Sequence, residues 1–176
     1  SSDVCSSDLG DERRTLILLL NLGDQACSSG DFAAALDWGR QAEVEALRLD
    51  DPGLLSLVLS NLCTAELFLS HTDAAEAYAR RAVPLLRHST GLLYFGESLA
   101  WLAAQRGRLP EAAQLLGYSD AIQQARGVVR QPAEQRLVSA LLSLLEAGAE
   151  PARIARWRAQ GAQWSEAQAL ANGLPD

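Results

Sequence analysis

Apolar side chains recur at helical spacing along almost the whole chain, and this periodicity limits the fold more than any other feature. Residues three and four positions apart lie on one side of an α-helix. No segment alternates with period two for long enough to predict a strand. The clearest stripe consists of Phe32, Ala35, Leu36, Ala42, Ala46 and Leu49. The sequence therefore predicts an all-α fold.

A short turn separates this helix from the helical segment 16–29 that precedes it. Gly30 can end the first helix, and Asp31 can cap the next one. Two helices joined by so short a connection form a hairpin. One hairpin cannot bury its own apolar face, so neighbouring hairpins must stack and share a core.

The hairpin pattern occurs three times. Aligning Gly30, Thr72 and Gly107 gives spacings of 42 and 35 residues, within the range of two-helix repeats. We therefore expect a right-handed helical-hairpin solenoid of about three repeats. The expected repeats are 10–50, 54–88 and 92–127.

The repeat pattern ends after Gly127. Pro132 and Pro151 can each open a helix, because the first turn does not need the missing N–H group. Ser165 and Gln168 have the spacing of a capping box. We expect residues 128–176 to form capping helices that close the end of the repeats.

The first nine residues, SSDVCSSDL, lack the basic and apolar regions of a secretory signal. Their back-translation resembles a sequencing-library adapter, and a genuine disordered tail is the alternative. The chain contains no methionine. These features predict a foreign segment, 1–9, on a fragment of a longer protein. In such a fragment we expect Leu16, Ile17 and Leu20 to be exposed and adhesive.

Charge and residue types disfavour several functions. All 15 basic residues are arginine, so a phosphate-binding loop with its lysine is absent from these residues. The net charge of −7 disfavours a nucleic-acid partner, and the apolar runs are too short for a membrane helix. The alanine, leucine and arginine content suggests a GC-rich bacterium. We predict a cytoplasmic protein that is not an enzyme and has no cofactor.

Histidine and cysteine form no catalytic or metal-binding pattern. His71 and His88 lie beside predicted helix ends, where solvated or capping roles are expected. Cys27 and Cys63 lie within apolar helical stripes and are expected to be buried free thiols. The sequence therefore predicts no catalytic residue and no metal ligand.

Residues 21–42 resemble a tetratricopeptide repeat. The second copy departs from the pattern, with Cys63 near the glycine position and Ala74 in place of the aromatic residue. In this family Leu22 and Gly23 would pack closely, Gly30 and Phe32 would form the turn, Ala35 would lie at the helix crossing and Ala42 at the shared seam. The third copy matches at Gly107, Leu109 and Ala112. The resemblance implies a protein-binding solenoid.

The last third of the chain resembles the C-terminal tail of large bacterial ATPase-linked transcriptional regulators. Their alanine-rich A-x-L-L-G-A-A-E helix is matched by 113–120. Their W-x-x-G-x-x-x-S-x-E-E-A ending is matched, with a slightly shorter spacing, by Trp157, Gly161, Ser165, Glu166 and Ala167. These proteins join a winged-helix or LuxR-type DNA-binding domain, or a cyclase domain, to an ATPase module and a repeat array. The resemblance implies a non-catalytic sensor whose partners include those upstream domains.

The concave groove of a solenoid, lined by the first helix of each repeat, is its usual recognition surface. Asn21 and Asn61 occupy equivalent places in two first helices and can hydrogen-bond an extended peptide. Gln25 and Glu66 complete the predicted groove. The expected ligand is a protein or peptide, or a small inducer. Two alternatives remain open: these are polar residues on an ordinary exposed face, or the chain is a stand-alone adaptor.

Overall fold

A computed structural model describes residues 2–86 and 92–174, with side chains from Asp11 onward. His88 lies outside the described residues. The described chain contains nine α-helices and no strand, which confirms the all-α prediction. The helices are α1 (Ser2–Ser29), α2 (Phe32–Arg48), α3 (Pro52–Phe68), α4 (Thr72–Leu86), α5 (Leu92–Gln105), α6 (Leu109–Arg126), α7 (Pro132–Gly148), α8 (Pro151–Gly161) and α9 (Glu166–Gly173).

Helices α1, α3 and α5 end in the same way. Gly30, Ser70 and Gly107 take positive φ angles of 85°, 63° and 76°. In each case the amide of the next residue bonds to a carbonyl five residues back, which is the Schellman arrangement. The intervals are therefore 40 and 37 residues. The predicted alignment on Thr72 was wrong, because Ser70 takes the turn position.

Aspartate side chains cap the N-termini of α2 and α3. The Asp31 carboxylate accepts a hydrogen bond from the Ala34 amide at 3.0 Å. Asp51 makes the same 3.0 Å bond to the Leu54 amide at the start of α3. Each bond satisfies an amide that has no partner within its own helix.

Removing the cap of α2 is expected to weaken the fold measurably. Asp31→Ala should lower the free energy of unfolding by about 1 kcal/mol, because the Ala34 amide loses its acceptor. Urea denaturation followed by circular dichroism measures this. Asp37→Ala is the matched control, since Asp37 is exposed within α2 and its carboxylate pairs with exposed Arg40. Equal losses in the two variants would contradict the capping role.

The chain forms two compact units, unit 1 (1–88) and unit 2 (89–176). In unit 1, α2 packs between α1 and α3, and α4 packs against α3. The rings of Phe32 and Phe68 stack with centroids 4.3 Å apart. The core cluster includes Leu16, Leu20, Ala26, Ala35, Leu36, Ala42, Ala46, Val58, Leu62 and Ala65. Leu16 and Leu20 are thus buried, contrary to prediction, whereas Ile17 is 45% exposed.

The close approach of helices in unit 1 occurs at a glycine that the resemblance did not single out. Leu22 is 43% exposed and therefore does not occupy a buried packing position. A Cβ atom at Gly23 would meet its nearest atoms at an ordinary 3.9 Å. At Gly39 it would lie 2.6 Å from the Leu62 side chain. The tight contact is therefore between α2 and α3.

In unit 2, α7, α8 and α9 all pack on the α5–α6 hairpin. The Arg108 guanidinium donates to the carbonyls of Asn172 and Gly173 at 3.2 Å, which attaches the end of α9 to the α5–α6 turn. Of the predicted repeat positions, Ala112 is buried, Leu109 is half-buried and Gly107 is exposed. The largest fully buried side chains of this unit are Phe95, Leu92, Leu99, Leu102, Leu115, Leu116 and Leu141.

Helix α1 includes most of the segment 1–9, which was expected to lack regular structure. Its backbone is helical from Ser2, since extending an existing helix is easier than nucleating one. The equivalent helix α3 begins only at Pro52, behind the capping Asp51. Asp11 lies 40 residues before Asp51, which is the interval that separates the turns at Gly30 and Ser70.

Among the described residues, no helix has the length and apolar character needed to cross a bilayer.

Candidate functional site

The four predicted groove residues differ in their surroundings. Asn21 and Gln25 lie one turn apart on α1, and both are exposed. Asn61, on α3, is half-buried, and its Nδ2 donates to Asp24 Oδ1 at 2.8 Å. This bond joins α1 to α3 and holds the Asn61 amide in place.

Glu66 supports the fold and is not available to a ligand. It is only 4% exposed. Its Oε2 lies 2.8 Å from His71 Nδ1, and its Oε1 lies 3.8 Å from the Arg40 guanidinium. These contacts connect the end of α3 to the following turn and to α2. The prediction that Glu66 faces the groove is therefore corrected: its carboxylate is enclosed and already has partners.

An exposed apolar side chain recurs at the equivalent position of helices α1, α3 and α5. Ile17, Leu57 and Tyr94 are 45%, 38% and 54% exposed. They are 40 and 37 residues apart, the same intervals that separate the turns. Sequence reasoning expected Ile17 to be exposed but did not single out Leu57 or Tyr94, because it did not align the three helices on Ser70. Matching their spacing to that of Gly30, Ser70 and Gly107 identifies them.

In unit 1 these positions adjoin the predicted polar ones. We call the set Ile17, Asn21, Gln25, Leu57 and Asn61 the first-helix face. Ile17 and Asn21 are one turn apart on α1, as are Leu57 and Asn61 on α3. The face combines aliphatic side chains with amides that can both donate and accept hydrogen bonds. Such a surface suits recognition of another polypeptide.

The cysteines have the surroundings of buried structural thiols. Cys63 is fully buried, and Cys27 is half-buried; neither forms a disulfide bond within the described residues. Burial, assisted by the nearby Glu66 charge, raises the pKa of the Cys63 thiol far above its ordinary value. The thiolate is the reactive form, so Cys63 is inert at neutral pH. Among residues 2–86 and 92–174, no group of three or more His, Cys, Asp or Glu side chains could hold a metal ion.

Unit 2 contains a polar cluster formed by Glu97, Asp120, Gln123, Arg130 and Arg158. Glu97 Oε1 accepts hydrogen bonds from Gln123 Nε2 at 3.0 Å and from Arg130 Nε at 2.6 Å. Arg130 also contacts Asp120 Oδ1 at 2.5 Å, and Arg158 donates to Asp120 Oδ2 at 2.6 Å. The cluster joins α5, α6, α8 and the segment before α7.

The cluster stabilises its surroundings through opposite charges in a poorly solvated place. Glu97 is only 3% exposed, and burial raises the pKa of its carboxyl group against the opposing effect of Arg130 and Gln123. Burial alone would lower the pKa of Arg130, but hydrogen bonds and attraction from Asp120 and Glu97 together outweigh it and raise that pKa, so Arg130 stays charged. Its two carboxylate partners hold Arg130 within the fold. The nearby Ser119 Oγ is buried and has no hydrogen-bond partner among the residues that the structure describes.

Helices α6 and α8 touch backbone to backbone at two glycines. A Cβ atom at Gly117 would lie 2.0 Å from the Arg158 carbonyl oxygen. One at Gly161 would lie 1.7 Å from the Gln114 carbonyl oxygen. Beside this contact is an open cleft of about 360 Å³. It is lined by Gly117, Asp120, Ala121, Gln124, Ala155, Arg158, Ala159 and Ala162.

This contact brings together the two segments that resemble the regulator tail. Gly117 lies in the alanine-rich segment 113–120, and Gly161 follows Trp157 in the second segment. Both glycines are needed because any side chain would collide with a carbonyl group. Helix α9 then begins with the predicted capping box, in which Ser165 and Gln168 bond reciprocally.

Searches of protein-family models, curated proteins and solved structures find no match to this chain. A functional assignment therefore depends on its own residues and their arrangement.

Proposed function

We propose that this chain is a non-catalytic, protein-binding array of stacked tetratricopeptide-like hairpins. The observation that carries the proposal is the recurrence of an exposed apolar residue, Ile17, Leu57 and Tyr94, at the interval of the helix turns. A residue that only filled the core would be buried. Repetition of an exposed one is typical of a surface that contacts a partner at each repeat.

The ligand of the first-helix face is a peptide or protein segment. Ile17 and Leu57 supply apolar contacts, and the exposed amides of Asn21 and Gln25 hydrogen-bond the ligand backbone. Asn61 is oriented by its bond to Asp24. A ligand bound across α1 and α3 favours one relative position of the two helices, which is how an array of this kind transmits binding.

The setting we propose is the C-terminal sensor of a bacterial ATPase-type transcriptional regulator. Support comes from the two segments that resemble the regulator tail. Each contributes one glycine, Gly117 or Gly161, to the contact between α6 and α8. The ligand-dependent position of the helices would restrain or release an ATPase module upstream in the same polypeptide. The second candidate is a stand-alone adaptor that assembles proteins, which the same first-helix face would also serve.

Loss of the apolar residues of the first-helix face is expected to weaken peptide binding. Peptides are first selected from a random phage-displayed library on the full chain. Ile17→Ser with Leu57→Ser should then weaken their binding at least about tenfold, since burying one aliphatic side chain contributes about 1.5–3 kcal/mol. Titration calorimetry with the selected peptides measures the change.

The matched control is Val44→Ser with Leu47→Ser. These residues are 63% and 55% exposed on α2, outside the first-helix face. Their replacement should leave peptide affinity unchanged. Peptides that bind the Ile17 and Leu57 double variant as tightly as the original chain would refute the proposed surface.

The regulator setting is tested by the gene that encodes the chain. Sequencing upstream of the codon for Asp11 should reveal a phosphate-binding loop and a DNA-binding or cyclase domain in the same reading frame. An initiator methionine directly before Asp11 would favour the adaptor instead. Absence of all these domains from a longer upstream frame would remove the regulator assignment.

A further inference from the structure

Helix α1 has a second exposed apolar surface, formed by Leu18 and Leu22. They are 62% and 43% exposed. At the 40-residue interval they correspond to Val58 and Leu62 of α3, which are 0% and 1% exposed. The same register is thus a buried core position in one hairpin of unit 1 and a bare surface in the other.

The second hairpin shows what kind of structure covers this register. The side chain of Leu62 packs against Gly39 of α2. Val58 lines the same small gap as Gly39 and Ala42. Helix α2 can approach this closely because its buried face carries only small residues at four positions spaced 4, 3 and 4 apart. These are Ala35, Gly39, Ala42 and Ala46.

We propose that Leu18 and Leu22 are a docking surface for an α2-type helix. The occupant is the second helix of a helical hairpin supplied by a partner, with Ala or Gly at positions spaced 4, 3 and 4. Leu22 would fit against the glycine of that helix as Leu62 fits against Gly39. Continuity with the α2–α3 interface is the reason for this choice of occupant.

Among the described residues, the second helices α2, α4 and α6 do not offer such a face to a second copy of the chain. The small residues of its own second helices are already enclosed: Ala42, Ala79 and Ala113, from α2, α4 and α6, are all 0% exposed. The occupant is therefore a different hairpin with a free small-residue face.

This docking surface borders the first-helix face, because Leu18 and Leu22 each lie three residues from one of its amides, Asn21 and Gln25, but the two proposals are tested through different side chains. Successive helical residues are about 100° apart around the axis. Leu18 and Leu22 thus lie about 100° and 140° from Ile17, so the apolar residues of the two surfaces point in different directions from α1. Either proposal can fail while the other stands.

The experiment uses a probe of known chemistry, a tandem copy of residues 11–50 inserted between Gly10 and Asp11. The added α2 then connects to Asp11 as the original α2 connects to Asp51, so it can cover the original Leu18 and Leu22. We expect amide hydrogen exchange across residues 12–24 of the original α1 to slow at least about tenfold relative to the unmodified chain. Segmental ¹⁵N labelling of the original part of the chain gives its peptic fragments a different mass from those of the added copy, so mass spectrometry measures the exchange of the original α1.

Two matched substitutions separate docking from a general effect of the insertion. Leu18→Asp with Leu22→Asp in the original α1 should remove the added protection while changing exchange little in the unmodified chain. Gly39→Leu in the added copy should also remove it, because the glycine that receives Leu22 is gone.

Two results would overturn the proposal. One is equal exchange of α1 with and without the added hairpin. The other is dimerisation of the unmodified chain in sedimentation experiments, lost on Leu18→Asp with Leu22→Asp. That outcome would make a second copy the occupant.

Discussion

Gly161→Ala is expected to destabilise unit 2 by about 3 kcal/mol, the upper part of the range for overpacking. The new methyl group would stand 1.7 Å from the Gln114 carbonyl oxygen, so α8 must move away from α6. Gly117→Ala should act similarly, through the Arg158 carbonyl. Neither collision is relieved by rotating a side chain. Urea denaturation followed by the fluorescence of Trp101 and Trp157 measures the loss.

Gly23→Ala is the matched control within α1. Its methyl group would make ordinary contacts at 3.9 Å, and alanine is favoured over glycine in a helix by about 1 kcal/mol. This variant should be as stable as the original or slightly more so. If Gly161→Ala and Gly117→Ala were equally well tolerated, the backbone contact between α6 and α8 would be disproved.

Arg130→Met is expected to cost about 3–5 kcal/mol at pH 8, because it leaves the Glu97 carboxylate buried without its cation. Of the partners that the described residues provide, Glu97 keeps the Gln123 amide, whereas Asp120 keeps Arg158. The methionine retains most of the aliphatic volume, so the loss reports mainly on charge. Denaturation by urea at fixed pH measures it.

The cost of Arg130→Met should shrink on acidification. Burial raises the pKa of Glu97 in the folded chain, and loss of Arg130 raises it further. The ordinary glutamate value in the unfolded chain is about 4.3. The folded state therefore binds a proton at Glu97 more tightly than the unfolded state does. The stability that this proton adds is complete below the unfolded-chain pKa of about 4.3 and is lost as the pH rises through the pKa of Glu97 in the folded chain. We expect a smaller deficit at pH 5 than at pH 8.

Glu97→Gln added to Arg130→Met should restore much of the stability and remove this difference between pH 5 and pH 8. The amide fills the same space without needing a counter-charge. A double variant that remains as unstable and as pH-dependent as Arg130→Met would assign the effect to another group.

Local sequence signals predicted the helices and several of their ends. Gly30 and the capping Asp31 act through neighbours within five residues, so their roles could be read directly. Ser70 was missed because a serine with positive φ is uncommon. Leu22 was assigned a packing position by the resemblance to a tetratricopeptide repeat, and a resemblance of sequence does not show whether another helix covers the residue.

The candidate site shows the same limit. Asn21 and Gln25 are exposed on one side of α1, as a recognition surface needs, but Glu66 was read without its partners. The polar cluster of unit 2 was not predicted at all. Arg130 and Glu97 are 33 residues apart in the chain, and only tertiary packing brings them together.

The contact between α6 and α8 also constrains how this sequence can evolve. Gly117 and Gly161 each face a main-chain carbonyl, which belongs to every amino acid alike. A larger residue at either position therefore cannot be accommodated by trimming the side chain at 158 or 114. Suppressor screens starting from Gly161→Ala should return mainly the reverted glycine, whereas losses at ordinary core positions are often rescued by a neighbour of complementary size.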